Sequence, residues 1–461
     1  MGVMRSGWTD ERQAHADAVG PARHAAAGRE RVAVIGSGVA GLTAAYLLQR
    51  RYEVLLFEAD ERLGGHAHTH DVLDPRAGAL AVDSGFIVHN ERTYPTLLRL
   101  FHELGVATQE TEMSMSVRCL GCGLEYAGAK GARGVFARAA NLGDVRFLRM
   151  LGEIRRFHRD ARRLLSPAAS PAPAGTLGLT LGLFIERGGY SRYFADHFLI
   201  PLVSAVWSTG PELVLRYPAR YLFEVLDHHG MLSVTGSPRW RTVVGGSRTY
   251  VQRAAKGLSA VNLSTPVRAV KRHADGATVW DESGADYVVE HVVLATHPDQ
   301  ALKILMDASS AERAVLGAIG YSRNETVLHT DASLLPVSTA ARSCWNYLVP
   351  HCAKHQSPAA SERPTERAVV TYHLNRLQRF EAERDYLVTM NATDSIDAST
   401  VIARMVYEHP VYTPESVAAQ ARLPELNTAH TAFAGAYHGW GFHEDGCASG
   451  AAAAAAFGAQ W

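Results

Sequence analysis

A strand, a glycine turn, a helix and a second strand ending in an acid are all packed into residues 31–58. Nothing else in the 461-residue chain constrains the fold so tightly. Val32 to Ile35 is an apolar run too short for a helix and bounded by Gly36, so it reads as a buried strand. Gly36-Ser37-Gly38-Val39-Ala40-Gly41 follows, and then Leu42 to Arg50, which has helical composition and no Gly or Pro. Val54 to Phe57 reads as the next strand, ending at Glu58. Gly36 makes the tight turn, Gly38 lets backbone approach a pyrophosphate, and Gly41 lets the helix pack close to the strand. Glu58 lies 22 residues after Gly36, where an acid hydrogen-bonds a ribose hydroxyl. That carboxylate repels a 2′-phosphate, which disfavours NADP. The stretch specifies a dinucleotide site.

The residues after Glu58 separate nicotinamide from flavin. Ala59 leads into Arg62-Leu63-Gly64-Gly65-His66, and with this segment the chain resembles the flavin amine oxidase and phytoene desaturase superfamily. The resemblance implies FAD. It implies that Arg62 pairs with phosphate, that Gly64 and Gly65 present backbone N–H groups, and that His66 stands where many members carry Arg. Val82-Asp83-Ser84-Gly85-Phe86 resembles the strand and glycine turn that pass beneath the flavin ring. Farther on, Val267 matches the position that contacts adenine through backbone, and Ala295-Thr296 the segment that closes over the dinucleotide.

The C-terminus repeats the signal. TAFAGAYHGWGFHEDGCASGAAAAAAF reads as a strand to Ala434, then Gly435, a glycine-rich loop holding Phe442 and His443, and a small-residue helix from about Ala448. The N-terminus of such a helix is a second anion-binding end. It resembles the closing FAD motif of the superfamily, with Ala436-Tyr437 where an acid usually follows the glycine. His438, His443 and Glu444 are the candidate proton acceptors, because they lie in the loop expected nearest the ring. Cys447 reads as a helix-start thiol.

Composition excludes several classes. Lys plus Arg and Asp plus Glu number 46 each, so no global field favours nucleic acid. No apolar run reaches the ~18–20 residues of a membrane span. Five scattered cysteines suit a reducing cytoplasm and no disulfide framework. Residues 1–30 read as a disordered tail without a secretory core. His66, His68 and His70 alternate on one face, yet no cysteine near them completes a metal set. Cys119-Leu-Gly-Cys122 reads as a hairpin turn, with no second CxxC in the chain, so no metal is assigned. Leu142 to Leu165 is a helix with seven Arg against three acids; a solvated face is the favoured reading, and contact with a membrane surface stays open. Ser166 to Gly175 is a Pro/Ala linker, and the block through His228 is rich in aromatics and aliphatics.

The expected fold is α/β: a Rossmann-like (GR2-type) FAD domain assembled from residues 31–85, 245–299 and 425–461, with an α+β substrate domain from 86–244 and 300–424. The resemblance implies an FAD-dependent oxidoreductase in which substrate delivers hydride to flavin, and O2 or another acceptor reoxidises it. The apolar block 176–226 points to a lipid or isoprenoid substrate. A flavin amine oxidase is the enzyme alternative, and an FAD-binding sensor the non-enzymatic one.

Overall fold

The computed structural model describes residues 28–166, 178–233, 236–352 and 367–461. The N-terminal tail up to residue 27 and most of the Pro/Ala linker lie outside them. A five-stranded sheet forms around the first strand. Its members are β1 (Arg31–Ile35), β2 (Glu53–Phe57), β3 (Ala260–Asn262), β4 (His291–Leu294) and β5 (Thr431–Phe433). The spatial order is β3-β2-β1-β4-β5 and every pair is parallel. This is the strand order of a doubly wound dinucleotide domain. Val32, Ala33, Val34, Val54, Val292 and Val293 have no exposed surface, as befits strands covered on both faces.

Helix α1 (Val39–Leu48) follows the glycine turn, and α2 (His443–Ala456) closes the chain. The α2 helix starts at His443, five residues earlier than the small-residue run suggests, because Phe442 and Asp445 cap it: the Asp445 carboxylate accepts from the Phe442 amide at 2.8 Å. The two helices pack with almost no side chain between them. A Cβ at Gly446 would sit 2.6 Å from Val39 Cγ1, and one at Gly450 would sit 2.1 Å from the Ala40 carbonyl oxygen. Gly41 is equally crowded, its missing Cβ falling 1.9 Å from the Gly36 oxygen. The small-residue composition of α2 therefore serves close approach.

One boundary differs from the sequence reading. Phe86, Tyr94, Leu97, Leu100, Phe101 and Trp240 pack into the same core as α1 and β1, although all were expected on the substrate side. The cause is a small sheet in which Trp240–Val243 pairs with both Val88–Asn90 and Thr108–Glu110, under the amphipathic helix Pro95–Glu103.

The rest of the substrate lobe is a seven-stranded mixed sheet covered by helices. The sheet runs from Val401–Pro410 through Tyr321–His329, Leu387–Met390, Val369–His373, Trp345–Val349 and Met115–Cys119 to Glu125–Ala127. Phe157 anchors the helical layer, with rings of Phe184, Tyr190, Phe194, Phe198 and Phe223 around it. Arginines of the basic helix Val145–Leu165 pair with Asp144 and Asp160 and with the buried Glu153, which also accepts from Ser191. Among the described residues, no helix is long and apolar enough to cross a membrane. The meander expected after Val267 is an antiparallel three-stranded sheet, Val267–His273, Gly276–Asp281 and Asp286–Val289.

Candidate active site

The two glycine motifs meet at one cavity of about 1870 Å3. The first turns of α1 (Gly38, Val39, Ala40) and α2 (Gly441, Phe442, His443) both line it. Because Gly446 and Gly450 hold α2 against Val39 and Ala40, the two helix N-termini open within a turn of each other. Two positive dipole ends and their unpaired N–H groups then face the same space, a seat for a diphosphate. Gly38 would meet no protein atom within 4 Å if it carried a Cβ, so protein packing does not require glycine there; the space it keeps clear is the cavity's. Gly65 faces it, its missing Cβ 3.2 Å from Gly38 Cα.

Glu58 lines the cavity beside this seat. Its Oε2 accepts from the Ser37 amide at 3.0 Å and from the Ser37 hydroxyl, and its Oε1 from the Asp60 amide at 2.9 Å. A carboxylate has about four acceptor directions, so capacity remains for a ribose hydroxyl. Ser37, Ala59, Gly85, Val267, Ala295 and Gly435 also line the cavity. Two motif residues also fasten the loop. The Gly64 amide donates to Ser37 (3.1 Å to both the carbonyl and hydroxyl oxygens), and the Arg62 guanidinium donates to the Gly65 carbonyl at 2.8 Å, so Arg62 fastens the loop from the cavity's edge.

His66 replaces the second arginine of the family pattern and suits the site differently. Its Nε2 is buried at the cavity wall without a partner, as is the Tyr437 hydroxyl. Burial, then the neighbouring His409 and His297, keep its pKa well below the ordinary histidine value, so it is a neutral group free to hydrogen-bond a bound molecule. His68 and His70 do not join it at a common centre. His68 Nδ1 bonds the Tyr407 hydroxyl at 3.1 Å and His70 Nε2 the Ser84 hydroxyl at 2.8 Å. The donors, the glycine cradle and these unpartnered polar atoms fit a flavin dinucleotide.

The three candidate proton acceptors separate. His443 stands on the cavity wall, stacked on Phe86 at 3.7 Å with its Nε2 3.0 Å from the Tyr250 hydroxyl. Burial lowers its pKa to about 3. His438 lies off the cavity beside the Tyr437 ring, its Nε2 without a partner. Glu444 turns away: its two oxygens accept from the Thr96 and Leu97 amides at 2.9 Å each, capping the helix Pro95–Glu103. Cys447 packs on Thr43 between α1 and α2, where burial pushes its thiol up to about 12. It offers no reactive sulfur to the cavity.

Beyond the glycine motifs the cavity runs into the substrate lobe. Phe86, Ile87, Val88 and Tyr94 wall one side; Ala205 to Ser208, Val225, His229 and Met231 another; Trp345, Tyr372 and Met390 the sheet side. Trp345 and Tyr372 meet edge to face at 5.4 Å, and the Tyr372 hydroxyl lies 4.0 Å from Met390 sulfur. Ala205 to Ser208 and Val225 belong to the apolar block read from the sequence as substrate-lining, whereas Trp345 and Met390 carried no signal in the sequence.

The family model for flavin containing amine oxidoreductase matches residues 39–328. The chain belongs to that family. No curated protein sequence matches it closely enough to count as a relative. Among solved structures, cyclohexylamine oxidase from Brevibacterium oxydans IH-35A superposes with a TM-score of 0.66 at 17% identity, covering 93% of this chain and 98% of that one. Putrescine oxidase bound to putrescine gives 0.64 at 17%, covering 92% and 98%. A fatty acid isomerase from P. acnes, described as producing CLA, gives 0.64 at 16%, covering 91% and 97%. At these identities the likeness concerns fold, and the neighbours' chemistry is diverse. The protein is a flavin-dependent oxidoreductase and its cofactor is FAD.

Proposed function

We propose that this enzyme oxidises an uncharged, apolar substrate of the lipid or isoprenoid class. The observation carrying this reading is an uncharged stretch of the cavity wall in the substrate lobe, set apart from Arg323 and Glu408, which reach the cavity from paired strands at the other edge of the sheet. Residues 86–94, 205–208, 225–231, 345, 372 and 390 contribute no Asp, Glu, Lys or Arg to its lining. The titratable groups there are also neutral at neutral pH. Burial pulls His229 down to about 4 and His443 to about 3, and raises Tyr372 to about 12 and Tyr94 higher still. A protonated amine entering this space would lose its water without gaining a counter-ion, a cost of several kcal/mol. An alkyl or polyene chain would gain about 0.8 kcal/mol per buried CH2.

FAD, when bound, supplies the two-electron acceptor for a hydride leaving a substrate C–H bond, and O2 or another acceptor regenerates it. Gly38, Gly65, Glu58 and the first turns of α1 and α2 hold the dinucleotide in this reading. Phe86, Trp207, Trp345 and Met390 exclude water and align the chain. His443, fixed by Phe86 and Tyr250, is the imidazole available for the accompanying proton; its low basicity suits orientation better than resting proton storage.

Anaerobic mixing of the flavin-loaded protein with matched substrates tests the reading. Long-chain acyl and isoprenoid compounds should bleach the oxidised flavin bands and yield products two hydrogens lighter. Bleaching by cyclohexylamine or putrescine, with none by the apolar compounds, would establish an amine oxidase instead.

A further inference from the structure

We propose that the substrate lobe holds a structural zinc ion on Cys119, Cys122, His197 and Cys352. The sulfur and imidazole nitrogen atoms of these four residues all lie within 4.8 Å of one another, and Cys122 Sγ is 3.4 Å from His197 Nε2. Zn–S bonds of about 2.3 Å in a tetrahedron place ligand atoms roughly 3.5–3.8 Å apart, so small side-chain rotations bring the set to bonding geometry. Three cysteines and one histidine form a soft donor set that selects zinc over hard cations.

The backbone is arranged for this purpose at several points. Cys119 ends the strand Met115–Cys119 and Cys122 closes the turn that follows, with Gly123 at φ +74° and its amide donating to the Cys119 carbonyl at 2.9 Å. That turn points both thiols the same way. Val349 pairs with Cys119 in parallel register, which brings Cys352 alongside three residues later. A Cβ at Gly121 would lie 3.2 Å from Cys352 Sγ and 3.1 Å from its amide nitrogen, so the turn keeps glycine where the third cysteine passes.

His197 shows the signature of a ligand's outer contacts. Its Nδ1 lies 3.0 Å from the Tyr193 carbonyl oxygen, a bond that requires the proton on Nδ1 and leaves the Nε2 lone pair directed at Cys122. The ring is stacked on Tyr193 at 4.1 Å and almost wholly buried, and the residue sits in a single π-helical turn, Ala195–Leu199, of the kind found at functional sites. Cys119, Cys352 and His197 are buried and Cys122 partly so, which gathers three thiols and an imidazole at one point of the lobe's core.

The ion would join three distant segments: the hairpin after Met115–Cys119, the end of Trp345–Val349 and the helical layer. Directly after the π turn comes Ile200–Trp207, whose last turn lines the cavity, so the site anchors one wall of the substrate space from about two helical turns away.

Elemental analysis of untagged, flavin-loaded protein tests the assignment, with about one zinc per chain expected. X-ray absorption at the zinc edge should show three sulfurs at about 2.3 Å and one nitrogen at about 2.0–2.1 Å. Cys122→Ser and Cys352→Ser should each lose the metal. Should these variants fail to fold, cobalt exchanged into the wild-type protein decides the matter: thiolate-rich tetrahedral cobalt gives ligand-field bands to the red of the flavin. Metal-free protein with all five cysteines open to alkylation on unfolding, or a disulfide within the cluster, would overturn the proposal.

Discussion

The cofactor half and the substrate lobe solve the same packing problem by opposite means. In the cofactor half, backbone meets backbone: Gly41, Gly446 and Gly450 remove the side chains that would separate α1, α2 and the turn after β1. In the lobe, large side chains fill the space, with Phe157 at the centre of five aromatic rings. Close backbone approach tolerates few residues, so it leaves a residue-by-residue trace. Aromatic packing tolerates many substitutions of similar volume and leaves little. The difference separates what is fixed for the cofactor from what is free to define the substrate.

The largest effect expected is acid lability, from buried histidines in the cavity wall and just behind it. His229, His409 and His438 have pKa values lowered to about 4, and His443 to about 3, in each case mainly by burial. Each value lies below the unfolded one near 6.5, so the neutral-histidine stability is full above pH 6.5 and is lost as pH falls toward 4, on the order of 3 kcal/mol per group. Asp83 and Asp445, raised by burial to about 6, act in the opposite sense between pH 4 and 6, but they are two against four. Thermal melts should fall steeply from pH 7 to 4.5. A flat profile would mean that these imidazoles are solvated.

Substituting Gly450→Ala comes next. Its Cβ would fall 2.1 Å from the Ala40 carbonyl oxygen, and about 3 kcal/mol of stability should go together with bound FAD. Retention of full flavin content would break the comparison at its firmest point. Glu58→Gln should weaken FAD by roughly 10- to 100-fold, the 1.5–3 kcal/mol of hydrogen bonds to a charged group, measured by titrating apoprotein. Glu444→Ala should cost about 1 kcal/mol through the lost cap on Pro95–Glu103 and leave the rate of flavin reduction nearly unchanged. A rate loss of a hundredfold would instead make it a catalytic group. Smallest of all, Gly152→Ala should add about 0.5–1 kcal/mol, since its Cβ would meet nothing within 4 Å on the exposed face of Val145–Leu165.

What the sequence revealed follows the same division. Strand, turn, helix and acid at 31–58 were legible because each glycine answers a local steric demand. The seat at Gly435 to Ala456 was legible for the same reason, except for its start, where Asp445 caps the helix sooner than the alanine run suggests. The role of Glu444 was not legible, because the helix it caps lies over 300 residues earlier in the chain. Nor was the packing of residues 86–103 against α1, which depends on the distant strand Trp240–Val243. Cys119 and Cys122 read as a turn, which they form; His197, 75 residues beyond Cys122, joins them only through the fold.

Binding of FAD and of riboflavin to the same apoprotein measures the central claim, that two helix N-termini form one diphosphate seat. At up to about 2 kcal/mol for each helix end, FAD should bind roughly a thousandfold tighter than riboflavin at low salt, with part of the gap closing as salt is added. Equal affinities would show that the isoalloxazine alone is recognised, and would contradict the seat built from Gly38 and Phe442.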